Sequence, residues 1–75
     1  MKKELEYYGG NGWDSFTLGK GDVIEVRYGE DDIKKTFTDS LEAIHFYDSI
    51  NDIKFAWHIR ESGFAELIDG HQLKD

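Results

Sequence analysis

The sequence predicts an α+β fold: a single antiparallel β-sheet of about five to six short strands, ordered β-β-β-β-α-β-β, covered on one face by one α-helix. Three observations predict it. Residues 3–37 alternate apolar and polar side chains between glycine-rich or acidic turns, the period-2 signature of half-buried strands. One segment near the middle switches to helical spacing behind an acidic cap. After it, "IKFAWHIR" returns to strict alternation. An antiparallel sheet can leave one face in water, so one helix suffices to cover the other.

The first hairpin is anchored on Asn11-Gly12, the favoured pair for a two-residue type I′ turn because both positions need positive φ. That turn sets Gly10 opposite Trp13, Tyr8 opposite Ser15, Tyr7 opposite Phe16 and Leu5 opposite Leu18. Leu5, Tyr7, Phe16 and Leu18 then share one face; Glu6, Tyr8, Ser15 and Thr17 share the other. Gly19-Lys20-Gly21 reads as a three-residue hairpin loop that brings Phe16 opposite Ile24. In "DVIEVRY", Ile24, Val26 and Tyr28 extend the apolar face. "GEDD" is a polar turn, after which Ile33 and Phe37 meet Tyr28 and Ile24. Lys35 falls on the inner face near its rim, where the stem packs while the ammonium stays wet.

Asp39 and Glu42 have capping-box spacing, and an acid at the cap faces the positive end of the helix dipole. A helix therefore starts after Asp39. Ala43, Phe46, Tyr47 and Ile50 form its apolar stripe, flanked by Ile44. Asn51 suits a left-handed stop. In the next strand, Phe55, Trp57 and Ile59 are expected to face inward, with Trp57 a core residue whose loss would unfold most of the protein. A Ser62-Gly63 turn brings residues 64–69 back, as a strand in preference to a short helix, with Ile68 facing Trp57. The final "HQLKD" is expected to fray.

Size and composition bound the chemistry. The chain has 75 residues, which is one domain. Two Trp, four Tyr and five Phe supply the large side chains that a small core without staples needs. There is no cysteine, so disulfides, thiolate nucleophiles and cysteine zinc sites are all absent. The net charge is −7, which argues against sequence-independent nucleic-acid binding and against anionic membranes. Residues 1–37 carry 8 acids against 6 bases; residues 38–75 carry 8 acids against 3 bases. The acidic surface should come mainly from the second half. No apolar run is long enough to span a bilayer, and "MKKELEYY" lacks the apolar stretch of a secretory signal. A cytoplasmic, bacterial-type protein is expected.

The glycine stretch "GGNGWDSFTLGKG" does not cradle phosphate. A phosphate-binding G-x-x-x-x-G-K-[ST] loop would need glycine at Asp14 and a hydroxyl at Gly21, and it would open a helix rather than a strand. His45, Asp48 and Ser49 share a helix face at i, i+3 and i+4, but without a pocket or an oxyanion hole they make a solvated surface rather than a triad. His45, His58 and His71 are spaced evenly by thirteen, which matches no zinc pattern. No cofactor or metal is expected, and no catalytic residue.

What remains is a small acidic non-enzymatic interaction module. One version is an inhibitor or immunity-type protein that occupies a basic protein surface. Its contact residues would be Glu42, His45, Asp48, Asp52, Glu61, Glu66 and Asp69, with Tyr8 and Trp13 as an aromatic patch on the outer sheet face. The alternatives are a homo-oligomer subunit, most simply a homodimer, and a small ligand-binding or enzymatic domain built on His45 or His58.

Overall fold

The structure is a computed structural model, and it describes residues 3–10, 12–68 and 72–75. The elements are β1 (Lys3–Gly9), β2 (Gly12–Leu18), β3 (Val23–Tyr28), β4 (Ile33–Phe37), α1 (Ser40–Ser49), β5 (Ile53–Ile59), β6 (Ala65–Leu67) and β7 (Gln72–Lys74). The class is α+β with antiparallel pairing, as expected, but the strands form two sheets instead of one. A three-stranded sheet runs β2-β1-β7 and a four-stranded sheet runs β4-β3-β5-β6.

The division arises at Gly19–Asp22. The expected β2–β3 hairpin, with Phe16 opposite Ile24, does not form, and the two strands belong to different sheets. Asp22 closes the turn itself: its amide donates to Gly19 O at 3.1 Å and its carboxylate accepts from Gly19 N at 2.8 Å. Gly21 sits at φ +85°, and a Cβ there would collide with the Glu61 side chain. The compact turn carries the chain across to a second layer. It feeds a strand, as the sequence requires, and not the helix of a phosphate loop.

Within each sheet the registers show what the position and length of a turn do. β1 and β2 pair with Gly9 opposite Gly12, Tyr8 opposite Trp13 and Leu5 opposite Phe16. This is two residues away from the expected register; Asn11, on which that turn rested, lies outside the described residues. A two-residue slip preserves parity, so Leu5, Tyr7, Phe16 and Leu18 still share the inner face. The β3–β4 register is the expected one, with Tyr28 opposite Ile33 and Ile24 opposite Phe37. Lys35 lies opposite Val26 with its ammonium 5.7 Å from the Phe37 ring and 5.6 Å from that of Phe46.

β5 differs most. It lies beside β3 with Ala56 opposite Val26 and His58 opposite Ile24, so Ala56 and His58 face inward and are buried. Phe55, Trp57 and Ile59 face outward; Phe55 is 53% exposed and Trp57 is only partly buried. Trp57 is therefore not a core residue. Strict alternation marks two faces without saying which one is inside. The interior here takes a small alanine and a histidine whose polar nitrogen finds a carboxylate.

The β5–β6 turn holds one residue more than expected: Arg60 N donates to Phe64 O at 2.8 Å and Gly63 N to Arg60 O at 2.7 Å, with Gly63 at φ +97°. The register moves by one, so Leu67 and not Ile68 opposes Trp57, and a one-residue slip exchanges faces. Residues 65–67 are a strand, as favoured. The tail does not fray: Gln72–Lys74 is β7, paired with β1, because Leu73 is buried in the core at 3% exposure.

The helix begins where the cap predicts, with Asp39 Oδ1 accepting from Leu41 N at 3.1 Å. It ends at Ile50, which leaves in an extended conformation; Asn51 does not adopt the left-handed stop. Ala43 and Tyr47 are buried, and Phe46 packs on Tyr28 and Phe37 at 5.0 and 5.2 Å between ring centroids. The helix lies against β7 and β4, the edge strands of the two sheets, and closes that side of a two-layer core. Leu5, Leu18 and Leu73 enter this core from one sheet and Ile24, Val26, Phe37 and Ala56 from the other.

Candidate protein-contact surface and the His58 cleft

Since the helix seals the β7/β4 side, the opposite side, between edge strands β2 and β6, stays open. A cleft of about 270 Å3 lies there between Tyr7, Asp14 and Phe16 on one wall and Glu66, Leu67 and Ile68 on the other. His58 lines it, as it does an adjoining depression of about 370 Å3 that reaches Gly19 and Asp22. A histidine with a cavity beside it is what the ligand-binding alternative requires, and the volume is at the small end for such sites.

The local chemistry is that of a clip. His58 Nε2 stands 2.8 Å from Asp22 Oδ2. Asp22 also accepts from Gly19 N at 2.8 Å and from Glu61 N at 3.1 Å. These bonds, the one to His58 foremost, hold the Asp22 carboxyl at a pKa of about 2, below its usual 3.8. An ionised carboxylate only accepts, so Nε2 carries the proton in this pair. The Phe16 ring lies on the imidazole with centroids 4.8 Å apart. Nδ1 is buried and meets no hydrogen-bond partner among the described residues. The ring is thus fixed between two sheets and two turns and is 3% exposed. No cysteine is present to act as a nucleophile, and no three His, Asp or Glu side chains among the described residues converge on a metal position. Sequence reasoning named His58 but missed Asp22 as its partner, since the two are 36 positions apart and no spacing rule connects them.

The acidic residues separate into two groups. Glu42, His45 and Asp48 are exposed on α1 and Asp52 follows its end, also exposed. Glu61 and Glu66 lie on the β5–β6 hairpin, at the far edge of the four-stranded sheet from the helix-bearing β4. Three strand intervals, roughly 14 Å, separate those edges. Glu66 is ion-paired with Arg60 at 2.7 Å, and Glu61 buttresses the Gly19–Asp22 turn. Asp69 lies outside the described residues. Among the described residues no basic side chain pairs with Glu42, Asp48 or Asp52.

The helix group has neighbours that the sequence treated only as a turn. Gly29 N donates to Asp52 O at 3.0 Å, which sets the β3–β4 turn, with exposed Glu30 and Asp31, beside the segment leaving α1. Glu30 and Asp31 thus join Asp52 at the exit of α1; Glu42 and Asp48 add exposed acids along the helix, where Lys35 lines one groove with Glu42 and His45. Asp48 is placed against local electrostatics. It occupies the last helical turn, which holds no basic residue, where the helix dipole disfavours a negative charge.

Tyr8 and Trp13 do come together, as a cross-strand pair on the outer face of the three-stranded sheet with ring centroids 5.2 Å apart. The Lys74 ammonium lies 4.3 Å from the Trp13 ring centroid, so that ring is already engaged by a cation from β7. No helix among the described residues is long and apolar enough to cross a membrane. Compared with known proteins, the chain matches no family model, no curated protein and no solved structure.

Proposed function

We propose that this chain is a non-enzymatic interaction module that binds a basic protein surface, in the manner of an inhibitor or immunity-type protein, through the acidic residues of α1 and the β3–β4 turn. The observation that carries this reading is Asp48, an acid in the last turn of a helix that no basic side chain among the described residues pairs with. Such a placement costs local stability and is balanced if the charge meets a cationic partner. His45, on the same exposed helix surface, and the neighbouring Glu42 would complete the contact. Glu61 and Glu66 contribute to the turn and the hairpin instead. A chain without cysteine needs no oxidising compartment, so a cytoplasmic setting suits the module.

The test is capture of a partner at low salt, with three of these acids neutralised in parallel as Glu42→Gln, Asp48→Asn and Asp52→Asn. Binding should fall at least tenfold between about 0.05 and 0.5 M salt, because exposed charges are screened within a Debye length. The triple variant should capture about ten times less. A partner held equally well by the triple variant, or equally well at both salt concentrations, overturns the reading.

A further inference from the structure

We infer that the cleft beside His58 binds a small organic cation, a primary amine carried on an aromatic or short alkyl body. The cleft lies on the open side of the molecule, away from the acids of α1, so this site is separate from the basic-partner surface. Its walls follow from the strand registers. Asp14 stands opposite Tyr7 and so shares the inner face of the three-stranded sheet. Glu66 stands opposite His58 and so shares the inner face of the other sheet. Two edge strands, β2 and β6, thus each turn a carboxylate into the same opening of about 270 Å3. His58 supplies the floor. It is 3% exposed, lines both this cleft and the adjoining depression, and is held in place by Asp22 and the Phe16 ring. Its Nε2–H is committed to Asp22, so Nδ1 keeps a lone pair that no donor among the described residues answers. A buried acceptor without a donor adds negative potential beneath the cleft.

Charge selects the ligand. The Asp14 carboxylate accepts from Ser15 N at 2.8 Å and from the Tyr7 hydroxyl at 3.4 Å. No basic side chain among the described residues pairs with it. Arg60 answers Glu66 at 2.7 Å. Asp22, at the far end of the depression, is met by N–H groups of Gly19, His58 and Glu61. With His58 neutral, Asp14, Asp22 and Glu66 outnumber Arg60 around the two openings. The half-buried Tyr7 and Phe16 rings add π faces that attract a cation. An anion is repelled by every one of these groups, and a neutral ligand leaves Asp14 without a counter-charge. An ammonium brings three N–H donors to a site rich in acceptors, while Phe16 and Ile68 offer its body an apolar wall. The volume suits a small molecule and no larger ligand.

Titration of the full chain with benzylamine, cationic at neutral pH, tests this when followed by amide chemical shifts. Benzyl alcohol and benzoate serve as neutral and anionic probes of nearly the same shape. The expected result is saturable binding of benzylammonium with a dissociation constant on the order of 1 mM, its shifts centred on Phe16, His58 and Glu66. Benzyl alcohol should bind at least about tenfold more weakly, and benzoate not measurably. Asp14→Asn keeps an oxygen for Ser15 N and should weaken benzylammonium at least about fivefold. Asp48→Asn, on α1, should leave it unchanged. The three probes decide the charge preference on the parent chain, whatever the variant does to stability. Equal binding of benzyl alcohol, shifts centred on α1, or an affinity indifferent to Asp14→Asn would each overturn the inference. Capture of a basic partner through α1 does not pass through this cleft, so the two readings fail separately.

Discussion

The Asp22 side chain joins three separate stretches of this molecule. One carboxylate holds the Gly19 amide, the Glu61 amide and His58, and so ties the corner between sheets to the β5–β6 hairpin. Its folded-state pKa of about 2 lies below the usual 3.8. A lowered carboxyl pKa stabilises the fold above the unfolded-state value, and that contribution is lost as pH falls from about 4 to about 2. Denaturant titrations across this window should show stability dropping toward acid. Asp22→Asn should be less stable at neutral pH and show a flatter acid limb. An unchanged acid limb would mean that the carboxylate does not anchor the corner. Tyr47 illustrates the opposite environment: burial pushes its phenol above the usual range, and its hydroxyl finds no partner among the described residues.

At the scale of elements, the helix is locally well started and poorly finished. Asp39 caps its first turn, a feature written in four consecutive residues and therefore legible without a structure. Its last turn carries Asp48 and no base. Asp48→Lys should stabilise the protein by about 0.3–1 kcal/mol through the dipole, seen as a higher denaturation midpoint, while weakening capture of a basic partner. Higher stability with undiminished binding would separate the helix end from the contact surface. The hairpins teach a second lesson. A turn displaced by one position at β1–β2 shifted the register by two and left every face assignment intact, whereas one extra loop residue at β5–β6 moved Leu67 into the place given to Ile68. Local turn composition restricts where a turn is centred and how long it is without deciding either, and parity determines how much an error matters.

At the scale of the whole molecule, the core is a layer between two sheets, sealed on one side by α1 and left open on the other beside His58. Ile24 and Val26 are fully buried at its centre, whereas Trp57 lies outside it. Ile24→Ala should cost about 2–5 kcal/mol, a large share of the ~5 kcal/mol such a small domain can have. Trp57→Ala should cost about 1–2 kcal/mol, from the loss of the Phe55 stack and partial burial. Thermal melts of the two variants side by side would check this; a larger loss for Trp57→Ala would return that residue to the core.

What depends on neighbours a few positions apart was readable from the chain alone: the period-2 strands, the Asp39 cap, the apolar stripe of α1, the β3–β4 pairing and the inner face of the first hairpin. So were the charge and the absence of thiol chemistry. It took the folded molecule to show that β2 and β3 part into separate sheets, that Leu73 draws the tail into a strand, and that β5 turns Ala56 and His58 inward. The fold likewise sets Glu30 and Asp31 beside Asp52, and Glu61 and Glu66 apart from the helix. The reason is physical. Alternation and capping are short-range preferences of the chain. Which of two faces is buried, and which distant carboxylate answers a buried histidine, is settled by how separate layers share one small interior.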